Sequence, residues 1–522
     1  HLRSPPARYK SLPVVSLAFA SASASASIPR TVRLYQLSAS SLSASALAWV
    51  IRHPVPRRQR RNDPRQQPGD LPLLSSSPPL LLSSSPPLLS IPSWPQRTGY
   101  ASEHQSKQAS NTRPQPPTRT RGPQLLHPVD LSRYHPVSRL LDRLRTSFKM
   151  AEEKPSVLII GGLGYIGRFL AQHIHQNNLA SEMRLVDKVL PQLAWLAPEF
   201  SEACSQTNFM QADASKPVKV FDRPDGKQWD YVFNCGGETR YSQEDEIYKL
   251  RSLELSIAVG KEAAKRKVKA FIELSTGMVY KPDSSPSKEG DKLKPWSKIA
   301  VFKLQAEEEL AKIEGLNLAI VRLAHVYGPY ASQWVATALC MARVYQHIEG
   351  EMKWLWTKDL RTNTAHIHDV TRALWDTAVW YDAGKANWKE AEMGKVPVFN
   401  VVDKGTTTQG TMAEIIGEIF KIETGFQGTL ISNFAKLNLE SVVDDVNDEV
   451  LGPWADLLAD AGITRPGPLT PFMEKELLKD TDLSMDGSRL ETVLGFKYEK
   501  PAVTKELIEE VIESYKRMKW WP

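Results

Sequence analysis

The chain has 522 residues, with 66 Lys+Arg against 59 Asp+Glu for a net charge of +7, a length that fits two or three domains. Cys204, Cys235 and Cys340 are too few and too widely spaced for a disulfide framework or a four-ligand zinc site. No apolar run reaches the ~18 residues of a membrane-spanning helix. The charge is also uneven: residues 1–149 carry eighteen Arg and three Lys against four Asp and one Glu, net +16, while the remaining 373 residues are net −9. An acidic body disfavours nucleic acid and membrane as partners.

Residues 1–149 hold 21 of the 37 prolines and 26 serines, with an Ala/Ser alternation over 20–27 and an SSSPPLL repeat between 75 and 89. Proline removes backbone donors and serine offers little to bury, so this stretch is predicted to be disordered. Its Arg- and Ser-rich, acid-poor composition is that of a mitochondrial transit region, and its first residues imitate a secretory signal. The reading favoured here is translated upstream sequence, with the body starting at Met150 and a cytoplasmic location; a genuine transit region would make the protein mitochondrial.

After Met150 the pattern changes. SVLII (156–160) is a β-branched run suited to a strand buried on both faces. It leads into GGLGYIG and a helical RFLAQHIHQ. Gly161, Gly164 and Gly167 thus form G-x-x-G-x-x-G at a strand-to-helix turn, where glycines permit the tight turn, the approach of a pyrophosphate and close helix packing. Gly161, Gly164, Tyr165, Ile166 and Gly167 are the candidate phosphate-cradling residues. A second strand, MRLVD, ends at Asp187, 20 residues after Gly167, where a carboxylate can accept from a ribose 2′-hydroxyl and repel a 2′-phosphate. The expected cofactor is therefore NAD.

TNFMQAD is read as strand three ending at Asp213, YVFNCGG as strand four, and AFIELST as strand five, with an Ala/Lys-rich helix over 257–267 between the last two. Asp213 is a candidate adenine-side residue and Gly236 a candidate contact to the dinucleotide backbone. This alternation predicts an α/β fold, a Rossmann-type doubly wound parallel sheet with ligands at the carboxyl ends of its strands. The expected organisation is a Rossmann domain over 150–330 and a smaller, mostly C-terminal substrate-binding region over 331–522 interleaved with the last Rossmann elements. TMAEIIGEIFKI and KELIEEVIESYKRM read as amphipathic helices. Residues 433–473 match nothing specific and are expected to shape a substrate pocket.

GGLGYIG with Asp187, FIELSTGMVY, LAIVRLAHVYGPY (318–330), LRTNTAHIHDVTRA (360–373), VFNVVDKG and LGFKYEK together resemble the extended short-chain dehydrogenase/reductases, in particular the NAD-dependent epimerase/dehydratase family. The resemblance implies an NAD-dependent oxidoreductase that acts by hydride transfer on a small hydroxylated substrate such as a nucleotide sugar, with a homodimer left open. It also implies a Tyr-x-x-x-Lys pair and a Ser/Thr around the reacting oxygen. Thr276 matches the Ser/Thr and Lys303 the lysine, which would hold the nicotinamide ribose. Four residues before Lys303, where the tyrosine should stand, the chain has Ile299. Tyr280, Lys303 and His325 are then the candidates for acid/base work, and Tyr280, His325 and Arg361 for substrate contact. The rival reading is a non-catalytic NAD-binding scaffold or redox sensor.

His366, His368 and Asp369 could suggest a metal, but no further ligand cluster accompanies them and no metal is expected. The Trp-rich KWLWTK and the terminal Trp pair are read as packing surface.

Overall fold

The computed structural model describes residues 154–522, so the expectations for residues 1–149 lie outside the described residues. The strands are β1 (Ser156–Ile160), β2 (Glu182–Asp187), β3 (Phe209–Gln211), β4 (Tyr231–Asn234), β5 (Ala270–Thr276), β6 (Leu318–Leu323), β7 (His325–Tyr327), β8 (Met352–Trp354), β9 (Thr364–His366), β10 (Val398–Val401) and β11 (Thr424–Phe426). The principal helices are α1 (Tyr165–Gln176), α2 (Leu255–Lys265), α3 (Lys298–Leu310), α4 (Trp334–His347), α5 (Ile367–Asp382), α6 (Gln409–Phe420), α7 (Leu439–Asp460) and α8 (Lys505–Arg517).

Seven strands form one parallel sheet in the order β10-β6-β5-β4-β1-β2-β3. The apolar run of β1 shows why it is central. Val157 and Ile159 face one buried cluster with Phe169, Leu170 and Ile174 of α1, while Leu158 and Ile160 face another with Val259 and Ala263 of α2. A strand whose alternate side chains both find helices must be apolar throughout. The chain order reverses between β1 and β4, which opens a crevice at their carboxyl ends.

Strand three ends at Gln211, so Asp213 lies in the following turn and not at the strand end predicted. The LAIVRLAHVYGPY run divides into β6 and a short β7 that leaves the main sheet to pair with β9. β10 comes from the second half of the chain yet completes the sheet beside β6. The C-terminal helices α4, α6, α7 and α8 pack around one another and share the larger buried cluster through Leu339, Ile416, Val450 and Val511. Among the described residues, no helix is long and apolar enough to cross a membrane.

β9 ends on His366, which caps α5 by accepting the His368 amide at Nδ1, 3.3 Å. His366 is 1% exposed and its Nε2 has no partner. Burial, assisted by His368 and Lys500, lowers its pKa to about 3. An unfolded histidine titrates near ~6.5, so below that pH the unfolded chain gains a proton that the folded chain refuses. Asp403, raised to about 6 by burial, acts in the opposite sense as pH falls through its own range. The His366 contribution is a loss of about 1.4 kcal/mol per pH unit on acidification below ~6.5. The variant His366→Asn, which retains a capping oxygen, is expected to show a shallower fall in urea midpoint between about pH 6.5 and 4.5; an unchanged slope would rule this account out.

Candidate functional site

The glycine turn lies in the crevice. Gly161 adopts φ +69°, a left-handed conformation that suits glycine, and an added Cβ there would meet the Cys235 carbonyl oxygen at 2.8 Å. Gly162 lies so close to β2 that a Cβ would reach Leu185 Cβ at 2.6 Å, and one on Gly167 would overlap the Gly161 carbonyl. The amides of Gly161 and Gly162 both donate to the Val186 carbonyl, at 2.8 and 3.1 Å. Gly164 differs: an added Cβ would touch only the Gly161 oxygen, at 3.1 Å. It stands at the N-cap of α1 without a side-chain cap, next to Tyr165 and Ile166, so the free helix N-terminus is left for an anion. Arg168 braces the turn from behind by donating to the carbonyls of Leu163, Gly164, Ala194 and Trp195.

Asp187 accepts from the Leu163 amide at 3.2 Å and the Val189 amide at 3.1 Å, which ties the end of β2 to the glycine turn. Asp213 accepts the amide and hydroxyl of Ser215 and pairs with Lys188 at 3.3 Å. Despite its desolvation, these bonds to Ser215 and Lys188 hold its carboxyl below the usual range. The Lys188 cation beside Asp187 is thus engaged by Asp213, which weakens any case for a 2′-phosphate.

Lys303 reaches the same crevice from α3. Its ammonium donates to Glu273 Oε1 at 3.2 Å and to the Gly236 carbonyl at 3.4 Å. Glu273 is fully buried on β5, and it also accepts Asn234 Nδ2 at 2.6 Å and Ser256 Oγ at 2.9 Å. Burial raises the Glu273 pKa, opposed by Lys303, Asn234 and Ser256. A buried carboxylate requires this kind of full satisfaction. Thr276 ends β5, and its hydroxyl oxygen accepts the Met278 amide at 3.2 Å. Ile299 lies one turn before Lys303 on α3 and packs against the larger apolar cluster.

Tyr280 requires a correction. Its side chain is 3% exposed; its hydroxyl donates to Asn400 Oδ1 at 2.6 Å and accepts from Arg322 at 2.9 Å. Arg322 in turn makes a bidentate pair with Glu307, at 3.1 and 2.6 Å. Burial pushes the phenol up to about 12 against the pull of Arg322. Both capacities of the hydroxyl are consumed inside the sheet edge, so Tyr280 is a structural tether and the structure does not present it as an acid, a base or a substrate contact.

A small cavity of about 30 Å³ lies beside the Thr276 turn. Its lining includes Trp296, whose amide donates to the Met278 carbonyl at 3.3 Å, and Leu483, whose side chain lies against Gly277. His325 lines it too, stacked on Trp334 with ring centroids 4.7 Å apart, and burial lowers its pKa to about 4. Arg361 is on the wall, but its guanidinium is engaged by Asp482 at 2.9 Å and by the carbonyls of Asp283 and Ser284. Besides Trp296, His325 and Trp334, the walls come from residues 354–362, Gln409 and 476–483 and not from 433–473, which form α7 and its neighbours.

The His366/His368/Asp369 segment is used otherwise. Asp369 is buried and accepts from Arg372 and from the amides of Glu499 and Lys500. Among the described residues, no group of three His, Cys, Asp or Glu could hold a metal ion.

Residues 157–389 match the NAD dependent epimerase/dehydratase family. The family is NAD-dependent, and the glycine cradle, the N-terminus of α1, which no side chain caps, and Asp187 fit a dinucleotide. No curated protein is significantly similar to the chain. Among solved structures, a variant UDP-glucuronic acid 4-epimerase from Bacillus cereus, in complex with UDP-4-deoxy-4-fluoro-glucuronic acid and NAD, is 16% identical with a TM-score of 0.49 over 70% of this chain and 99% of that one. MoeE5 in complex with UDP-glucose and NAD is 17% identical, TM-score 0.47, over 69% and 99%. UDP-N-acetylglucosamine 4-epimerase from Methanobrevibacter ruminantium M1 is 17% identical, TM-score 0.47, over 70% and 98%.

Sequence reasoning passed over Glu273, although a carboxylate in the otherwise apolar FIELS run was a signal. It also passed over Trp354, Thr362 and Gln409, whose convergence depends on distant loops. The two glycines of the cradle should separate folding from binding. Gly164→Leu is expected to lose NADH binding with a smaller fall in its unfolding midpoint than Gly167→Val, because its Cβ meets only the Gly161 oxygen, at 3.1 Å. Gly167→Val is expected to lose about 1–3 kcal/mol of stability, since the new side chain meets backbone. Fluorescence titration with NADH beside urea unfolding checks both; retained NADH affinity in Gly164→Leu would remove the assignment of this turn.

Proposed function

We propose that the chain is an NAD-dependent epimerase/dehydratase-like oxidoreductase acting on a small hydroxylated substrate, with a nucleotide sugar as the class that suits it best. The observation that supports this most strongly is the position of Thr276 and Lys303 at the crevice that carries the glycine cradle, with a separate cavity against the Thr276 turn. When bound, NAD would supply the hydride acceptor and donor.

The chain's own residues then divide the remaining tasks. Gly161, Gly164, Tyr165, Ile166 and Gly167 would cradle the pyrophosphate, and Asp187 would accept a ribose hydroxyl. Asp213 and Gly236 would flank the dinucleotide. Lys303 has three donors, of which Glu273 and Gly236 take two, leaving one for the nicotinamide ribose. The Thr276 hydroxyl accepts from Met278 and keeps its own proton to offer to the reacting oxygen. His325, whose ring has no hydrogen bond among the described residues, is a neutral imidazole at physiological pH, and since burial opposes its protonation it would line the cavity wall rather than take up a proton. Arg361 would shape the cavity rather than bind an anion, because its guanidinium already has three acceptors.

A second reading, a non-catalytic NAD-binding scaffold or sensor, is favoured by Ile299, which puts an apolar side chain where the family's phenol acts. Incubation with NAD and a set of nucleotide sugars, followed by nicotinamide absorbance and product NMR, separates the two. The enzyme reading expects slow turnover that rises in Ile299→Tyr by about 10²-fold, the scale of one restored acid/base group. NADH binding without turnover in either protein would support the scaffold and refute the enzyme.

A further inference from the structure

The short helix Thr429–Leu437 has its apolar side turned away from the protein. A surface helix ordinarily puts its apolar stripe on the core and its polar face in water. Here the residues that meet the body are small. Ser432 Oγ donates to the Leu355 carbonyl at 2.8 Å, and Ala435, one turn on, is the helix's one buried residue, packed with Leu355 and Trp356. The large apolar side chains face water: Leu430 and Leu437 are 85% and 88% exposed, and Ile431 and Phe434 between them 44% and 49%. Positions 430, 434 and 437 fall on one side of a helix, so these residues form a stripe and are not scattered singly.

The chain turns at Asn438, which caps both this helix and α7, and from there the surface is acidic. α7 buries Val443, Asn447, Val450, Trp454 and Leu457. On its exposed side Glu440, Asp444 and Asp448 recur every fourth residue, so they stand in one row that begins just past Leu437. Residues 429–460 hold seven Asp+Glu and one basic residue, Lys436, for a net charge of −6. Lys436 is engaged by Asp480 at 2.8 Å, and Lys475 reaches Glu440 at 3.3 Å. Both helices lie beyond residues 157–389, the part that matches the epimerase/dehydratase family, so nothing in that match accounts for this surface.

The charge beside the stripe restricts what covers it. A second copy of this face would set −6 against −6, and an anionic membrane would meet the same acids. Both halves of the surface are complemented by a helix that carries apolar side chains on one side and Lys or Arg flanking them. We propose that the Thr429–Leu437 helix and the acidic row of α7 form a docking surface for a basic amphipathic helix of a partner protein. The partner's apolar side chains cover Leu430, Ile431, Phe434 and Leu437, and its cations lie along Glu440, Asp444 and Asp448. None of these residues belongs to the dinucleotide crevice, so docking and cofactor binding are measured separately.

The test titrates the full chain against designed peptides by fluorescence anisotropy. The first is built of leucine and lysine with its leucines at i, i+3, i+4 and i+7 spacing. The second has glutamate for every lysine, and the third has the first one's composition with its leucines spread around the helix. The first is expected to bind at least about tenfold more tightly than either of the others, with an affinity that falls as salt rises. The double variant Leu430→Gln/Leu437→Gln keeps helix propensity while it removes the stripe, and should weaken that binding at least about tenfold with the urea midpoint unchanged. Asp444→Asn/Asp448→Asn should weaken it about threefold at low salt and flatten the salt dependence. Equal binding of the three peptides would overturn the docking surface, as would an affinity that either variant leaves unchanged. So would a dimer of the chain that the leucine variant dissolves, or binding to phosphatidylserine vesicles that the same variant loses, since either result gives the stripe to another occupant.

Discussion

One face of α3 fastens the crevice to the sheet. Lys303 and Glu307 lie four residues apart, so both point at the sheet, where each meets an opposite charge that is buried: Glu273 on β5 for the first and Arg322 on β6 for the second. Their side chains are all between 0 and 11% exposed. Breaking a pair of this kind by removing one partner costs about 3–5 kcal/mol, because the remaining charge stays in the interior. The two pairs fix both the rotation and the height of α3 against β5 and β6. They thereby decide where the Lys303 ammonium sits relative to the glycine turn and Thr276.

This fastening bears on the chemistry. In the resemblance that runs through the sequence, the lysine acts on a phenol one turn earlier. Here that position holds Ile299, in the same row as Lys303 and Glu307, and its partly buried side chain packs against the core. The lysine has instead a carboxylate below it, supported by Asn234 and Ser256. A buried lysine needs a counter-charge if it is to stay aimed at the crevice, and Glu273 supplies it. With Glu273 and the Gly236 carbonyl taking two of its donors, Lys303 has one donor left on the crevice side.

Much of this could be read in the sequence where local pattern controls structure. β1 and β5 fall on the residues expected, because continuous apolar runs between turn signals leave little choice, and the glycine turn follows from its place between strand and helix. Asp213 was harder, since β3 is only three residues long and its end is set by pairing with β2. Tyr280 misled for another reason. Its neighbours in sequence suggested a pocket, whereas its hydroxyl is committed by Arg322 and by Asn400, 120 residues away. The same holds for Trp354, Thr362 and Gln409, whose meeting around one cavity depends on loops with no periodic pattern to read.

The central claim is that Lys303, held from below by Glu273, presents its remaining donor to a dinucleotide lying in the crevice between β1 and β4. A crystal structure of the chain with NADH measures this directly. The account predicts pyrophosphate against the amides that open α1, and nicotinamide ribose hydroxyls within hydrogen-bond distance of Lys303 Nζ, with the contact to Glu273 retained. NADH bound elsewhere, or its ribose out of reach of Lys303, would contradict it.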